Sequence, residues 1–311
     1  MTVLVAVLIA VVITFAAIAA GGRFLRAQHA TQIEHAMTVA TDVGGVLQRM
    51  EAEQLAAVGF LLHAQTEADF DARANAVTDR VTDVKAKLGA GLPAQVRNAI
   101  DDATALAPVR SDIATGRETP AAAVAAYGSA IDSIISSLSL ARYADATTTA
   151  GRQVLALDVL LTIDARHAES ASDLLIAAVQ KTDASAVDYA AARQAAAALE
   201  ARFMTYASRA QVALYGTVTA ASAERVGGDF VSAFAKSPRD AASSLGPLTA
   251  LYPRLQSYVA LGQLVEAKIA ADVSAAMHSE QRGNLIAGYV IAGVALLVVL
   301  LMILASWLVI R

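Results

Sequence analysis

The 311-residue sequence has no cysteine, only six prolines and few aromatic residues. Without cysteine, the chain cannot form a disulfide. Because proline interrupts helices, its scarcity leaves three long stretches open to continuous helix, at roughly 23–92, 121–237 and from 254 onward. Apolar and polar residues do not alternate over any sustained stretch, as they would in strands. The sequence therefore predicts an all-α fold.

Charge is absent from two long segments, Thr2 to Ala20 and Leu285 to Ile310. A helix needs about 20 apolar residues to cross the hydrocarbon layer of a membrane. Tyr289 and Trp307 lie near the two ends of the second segment, where aromatic side chains favour membrane interfaces. We therefore predict two transmembrane helices, at 1–22 and 284–311, flanking a helical sensing domain at 23–283.

The first apolar segment has an alternative interpretation. Its Ala17–Ala19 sequence resembles a signal-peptidase site, but the segment is long and no basic residue precedes it. We expect a retained helix. Arg23 and Arg26 alone would place the following domain in the cytoplasm. Because long domains are translocated largely regardless of charge, we predict instead a two-pass protein of the bacterial inner membrane with residues 23–283 extracytoplasmic.

Charged residues are concentrated in the interior, which holds all 28 acidic and 23 of the 24 basic residues. This mildly acidic balance argues against a nucleic-acid partner. The sequence has no nucleophile elbow, glycine-rich phosphate loop or zinc-protease motif, so we predict neither an enzyme nor a bound cofactor. We predict no metal site, because the histidines lack the spacing of helical metal ligands: His29, His35, His63, His167 and His278.

Local signals divide the interior into helices. Thr66–Asp69 resembles a capping box, and Thr119–Pro120 places a capping residue before a proline at the first helical position. The first predicted helix ends near Ala64, the second runs from Glu67 to Leu88, and a short third helix ends at about Ala107. The following helices are predicted from Pro120 to about Asp145, from about Thr147 to Gln180, and from the Asp183–Ser185 cap to about Gly216. The last predicted helix runs from Pro253 into the second apolar segment. Gly227–Gly228 and Ser237–Pro238 bound a further short piece.

Two stripes of residues keep helical spacing and predict buried helix faces. The first contains Val39, Val43, Val46, Leu47 and Met50, and the second contains Leu157, Leu160, Leu161, Asp164 and His167. Antiparallel helices with short links favour up-and-down bundles. About 260 residues exceed one four-helix bundle, so we expect two bundles.

The segment Leu47–Phe60 resembles the first conserved helix of the nitrate- and nitrite-sensing (NIT) domain family, in which a leucine, glutamine, glutamate and arginine core precedes small residues and an aromatic. Arg73 and Thr78–Asp79 resemble the motif that follows it. Leu160–Ser172 resembles the second glutamate-arginine helix of the family. Phe203, Ala207, Tyr215 and Val218 then match its later pattern, and Leu264–Glu266 fits the helix before the second span.

This resemblance implies two coaxial four-helix bundles in which two arginines from different helices grip a small oxyanion, because guanidinium offers parallel donors to a planar anion. Here Gln54 and Ser170 occupy the two arginine positions, while Glu53 and Glu169 before them are kept. The candidate ligand-binding residues are therefore Gln54, Ser170, Arg49 and Arg166. Arg166 precedes Ser170 by one turn on the same face and is the better compensating cation, although it could instead pair with Glu169 or Asp164.

The function that we predict is sensing of a small nitrate-like anion by the input half of a bacterial receptor. The chain is expected to be a homodimer, and a histidine kinase would follow in a longer protein. Two alternatives remain open: a chemoreceptor-like helical sensor of another ligand, and a membrane-anchored structural protein without a ligand.

Overall fold

The computed structural model describes residues 2–104, 106–180, 183–219, 229–230, 232–233, 245 and 247–310. These residues form helices and no strand, which confirms the all-α fold. The α-helices are α1 (Thr2–Leu61), α2 (Glu67–Leu88), α3 (Ala94–Thr104), α4 (Ala107–Ala114), α5 (Pro120–Leu138), α6 (Thr149–Gln180), α7 (Asp183–Tyr206), α8 (Arg209–Thr219) and α9 (Leu248–Ile310). Short 3₁₀ helices occupy Gly89–Gly91 and Leu140–Tyr143.

Two of the predicted helix starts are confirmed in detail. Thr66 caps α2 with a full capping box, since its side chain accepts from the Asp69 backbone N–H and the Asp69 carboxylate accepts from the Thr66 backbone N–H. Thr119 caps α5 by accepting from the Ala122 N–H, ahead of Pro120. Local sequence chemistry therefore determines both starts.

Several predicted ends were wrong. Helix α5 stops at Leu138 rather than near residue 145, because Ser139 adopts the left-handed conformation with φ 49°. Helix α1 ends at Leu61, before the predicted Ala64. Helix α3 ends at Thr104, before the predicted Ala107. Ala107 instead begins a separate helix, α4, and Pro108 lies in its first turn, where the missing N–H costs nothing.

The predicted single helix from Asp183 to about Gly216 is in fact two helices. The Ser208 side chain accepts from the Gln211 N–H at 3.3 Å, and the Gln211 side chain accepts from the Ser208 N–H at 2.8 Å. This second capping box begins α8 and separates it from α7. Helix α9 begins at Leu248, five residues before the predicted Pro253, which lies inside it.

The chain forms two compact units, residues 36–272 and residues 1–35 with 273–311. We call them the central unit and the terminal unit. Both predicted stripes are buried in the central unit. One hydrophobic cluster there joins α1, α5, α6, α7 and α9 through Leu55, Val58, Val124, Leu174, Leu175, Tyr189, Leu251, Tyr252 and Leu255.

The terminal unit contains the start of α1 and the end of α9, which run antiparallel. The rings of Phe24 and Tyr289 meet edge to face at 5.7 Å, and His278 Nε2 lies 3.2 Å from Glu34 Oε1. Some of its apolar side chains are exposed, among them Phe15 at 75%, whereas Ile33, Val273 and Met277 are buried.

Two helical segments in the described residues are long and apolar enough to cross a membrane, by length and composition. Leu285–Met302 has a mean hydropathy of 2.8 and is 6% buried, whereas Pro120–Tyr143 has 1.3 and is 39% buried. The segment Pro120–Tyr143 consists largely of α5, whose inner face packs into the central unit through Tyr127, Ile131, Ile134 and Leu138. Its hydropathy is that of a core helix.

Some predictions fall outside the described residues. The short piece predicted between Gly227–Gly228 and Ser237–Pro238 lies largely outside them. The predictions for the side chains of Trp307 and Val218 also lie outside the described part of the chain.

Candidate functional site

The central unit contains a cavity of about 700 Å³, here called the arginine cavity. Arg49 from α1 and both Arg73 and Arg80 from α2 line it, against one acidic residue, Asp83. Neutral hydrogen-bonding side chains complete the polar lining: Gln48, Gln256 and Ser257. Three arginines lining one cavity suit an anion, since a guanidinium group offers several N–H donors in a fixed plane.

Arg80 is held in place by contacts with α1. Its Nη2 donates to the Asp42 backbone carbonyl at 3.1 Å and lies 3.5 Å from Asp42 Oδ1. A methyl group at Gly45 would lie 2.8 Å from the Arg80 guanidinium, so a larger residue there would displace that group from its position against the helix. Lys87 Nζ shares the Asp42 carboxylate at 2.8 Å, which leaves the Arg80 charge only partly neutralised.

A second cavity, of about 310 Å³, adjoins the first, and we call it the inner pocket. The two share Gly45, Gln48 and Arg80 as lining residues. The inner pocket is otherwise mainly apolar, with Leu157 and Leu161 from α6 and alanines from α1 and α9. Its acidic residue is Glu266 on α9, 8% exposed, whose carboxylate accepts a hydrogen bond from the Gln48 side chain.

Glu266 belongs to a buried group of three carboxyls with Glu51 and Asp164, from three different helices. Burial raises the pKa of Glu51, and the neighbouring Glu266 raises it further. Burial also raises the pKa of Asp164, followed by the effects of Glu266 and Glu51. The pKa of Glu266 is raised by burial, against smaller lowering effects of its hydrogen bonds with Asp164 and Gln48. Such neighbours cannot all ionise together.

Of the four sequence-predicted site residues, Arg49 lines the arginine cavity. Arg166 instead pairs with two carboxylates, because its guanidinium donates to Asp132 and to Glu169. Burial alone would lower the pKa of Arg166, but these hydrogen bonds raise it above the ordinary value. The pairing with Glu169 is one that the sequence left open, and the Asp132 partner comes from α5.

Gln54 and Ser170 are both buried, at 1% and 3% exposure, and neither is among the residues that line the two cavities described above. Gln54 Nε2 has no hydrogen-bond partner among the described residues. The glutamate before Gln54 has another role: Glu53 accepts from Arg110 Nε at 2.6 Å, from Arg110 Nη2 at 2.8 Å and from the Tyr127 hydroxyl at 2.6 Å. The structure therefore pairs both retained glutamates, Glu53 and Glu169, with arginines.

Sequence reasoning missed Arg73 and Arg80 as site residues. They are seven positions apart, which places them on one face of α2 two turns from each other. That spacing was the available signal. No local pattern connects the pair with Arg49, because α1 and α2 meet only in the folded chain. In the part of the chain that the structure describes, no three His, Cys, Asp or Glu side chains are arranged so that they could hold a metal ion.

The fold is similar to that of a solved structure, the NasR transcription antiterminator, with a TM-score of 0.68. The similarity covers 89% of this chain and 81% of that one at 13% sequence identity, so it concerns the fold alone. No protein-family model matches the sequence, and no curated protein matches it.

Proposed function

We propose that this chain is the membrane-anchored input half of a bacterial receptor and senses a small anion in the arginine cavity. The observation that carries the proposal is the convergence of Arg49, Arg73 and Arg80 on one cavity with Asp83 as its acidic lining residue. A nitrate-like oxyanion suits this lining, because guanidinium groups hold planar oxyanions through paired hydrogen bonds.

Helix α9 is the element that would transmit the signal. It contributes Gln256 and Ser257 to the cavity and also contains the apolar segment Leu285–Met302. A ligand that favours one packing of α9 over another would shift the helix by a small rotation or translation.

The finer architecture forms part of the same proposal. The helices of residues 23–283 would form two bundles of the NIT type outside the cytoplasm, between transmembrane helices at 1–22 and 284–311. The protein would act as a homodimer in the inner membrane, with a kinase as its output in a longer chain. A ligand-free anchoring role remains the alternative.

Anion binding is tested by titrating nitrate into the detergent-solubilised chain in a calorimeter. Removing one charge-assisted contact costs about 1.5–3 kcal/mol, so Arg73→Gln and Arg80→Gln should each weaken binding about 10- to 100-fold. Arg117→Gln is the matched control, because Arg117 is exposed and pairs with Asp112 outside the cavity. Absence of heat at millimolar nitrate, chloride and sulfate would refute anion sensing and favour the anchoring role.

The location of the domain is tested separately, and the cysteine-free sequence is a natural background for it. A Ser111→Cys variant places one thiol at an exposed site of α4. A membrane-impermeant maleimide should label this thiol in intact cells. Labelling only after lysis would place the central unit in the cytoplasm and contradict the proposed topology.

A further inference from the structure

The arginine cavity and the inner pocket present opposite charges to a ligand that enters both. The outer part is lined by Arg49, Arg73 and Arg80, and the inner part contains Glu266. The two cavities meet at Gly45, Gln48 and Arg80. Their combined lining is therefore dipolar, with donors for an anion at one end and a carboxylate at the other.

The glycine pair Gly44–Gly45 brings these two ends close together. A methyl group at Gly44 would lie 3.5 Å from Glu266 Oε2, and one at Gly45 would lie 2.8 Å from Arg80. The acidic and basic side chains thus pack against successive residues of the same helix. Successive Cβ positions in a helix are separated by about one residue of rise and a 100° turn, so the two charges are within reach of a short ligand.

Among the described residues, the contacts given above for the carboxyls of Glu51, Asp164 and Glu266 are with one another and with Gln48, and none is with a cation. Glu266 is hydrogen-bonded to Gln48 and Asp164, and it raises the pKa of Glu51. Glu51 in turn lies close enough to Asp164 to raise the pKa of that carboxyl. Asp164 Oδ2 is buried without a hydrogen-bond partner among the described residues. Because buried carboxyls are costly unless they are paired or protonated, a ligand ammonium beside Glu266 would supply the missing counter-charge.

We propose that the site binds a zwitterion, a small amino carboxylate whose carboxylate lies among the three arginines and whose ammonium group lies against Glu266. The inference rests on the proposed function, because it uses the same arginine cavity, and it specifies the ligand class of that site. A nitrate ion would occupy only the outer part. The alanine and leucine walls of the inner pocket accommodate the methylene groups that join the two charged ends.

The test compares ligands of matched length on the intact, detergent-solubilised chain by calorimetry. Glycine, β-alanine and 4-aminobutyrate are titrated beside acetate, propionate and butyrate, which carry the same carboxylate without the ammonium group. At least one amino carboxylate should bind ten or more times more tightly than its matched carboxylate. The best chain length then reports the distance between the two charged ends.

Variants assign the preference to individual residues. Glu266→Gln keeps an acceptor for Gln48 but removes the charge, so it should abolish the preference for the ammonium while retaining carboxylate binding. Arg80→Gln should weaken both ligand series. Asp79→Asn, an exposed change on the same helix α2, is the control and should alter neither.

The outcomes separate this inference from the proposed function. If nitrate and simple carboxylates bind and no amino carboxylate exceeds its matched carboxylate, the zwitterion site is refuted and anion sensing survives. If no anion of either kind binds, both are refuted. The wild-type comparison decides the question even if the Glu266 variant fails to fold.

Discussion

Replacing Glu51 by glutamine should stabilise the protein, and the gain should grow with pH. Glu51 is 2% exposed on α1, and burial together with Glu266 raises its pKa above the ordinary value of 4.5. The folded state therefore keeps a proton on this carboxyl at pH values where the unfolded chain has already released it. Glutamine has the same shape as the protonated side chain and does not titrate.

The magnitude follows from proton linkage. A group that binds more protons in the folded state lowers stability as pH rises, by about 1.4 kcal/mol per pH unit. The penalty is absent below the ordinary pKa of 4.5 and increases until the pH reaches the pKa of the folded state. Above pH 5, the stability advantage of Glu51→Gln over the wild type should therefore grow by up to about 1.4 kcal/mol per pH unit until the pH reaches the pKa of the folded state.

The assay is urea unfolding of the detergent-solubilised chain, followed by circular dichroism at pH 5, 6 and 7. Glu53→Gln is the matched control, two residues away and equally buried, but paired with Arg110 and Tyr127. Weakening that pair should destabilise the protein by about 3 kcal/mol. Parallel stability curves for Glu51→Gln and the wild type across this pH range would refute the reasoning.

Three further substitutions test the packing and capping described above. Gly151→Ala should lower the unfolding free energy by at least about 2 kcal/mol, because its methyl group would lie 2.0 Å from the Asp145 carbonyl oxygen. Gly128→Ala should raise it by about 0.5–1 kcal/mol, since nothing lies within 4 Å of the added methyl group in helix α5. Thr66→Ala should cost about 1 kcal/mol by removing the capping box with Asp69. Urea unfolding measures all three, and the opposite sign for either glycine variant would contradict the local geometry.

The helix content and the buried faces could be predicted because their signals are local. The apolar stripe from Val39 to Met50 and the caps at Thr66 and Thr119 depend on residues within a few turns of one another. The errors arose where a single backbone conformation or a second cap interrupted a continuous pattern, as at Ser139 and Ser208. Propensity changes little at Ser139, so no strong stop signal was available there. The spacing of Ser208 and Gln211, by contrast, is a capping-box pattern that our sequence reasoning missed.

The candidate site was only partly predictable for a different reason. Arg49 and Arg166 could both be named from the sequence, but in the structure Arg166 pairs with Glu169 and with Asp132, 34 residues earlier in the chain. Which arginine is neutralised and which faces a cavity depends on long-range helix packing.

The sequence by itself determined that this protein is helical, that its charges lie between two apolar segments, and which helix faces are buried. These properties follow from composition and from the helical period, which operate over a few residues. Only the tertiary structure decided that Arg49, Arg73 and Arg80 share a cavity and that the buried carboxyls of Glu51, Asp164 and Glu266 lie together. Each of these groups joins different helices, and electrostatic neighbours across helices exist only once the chain has packed.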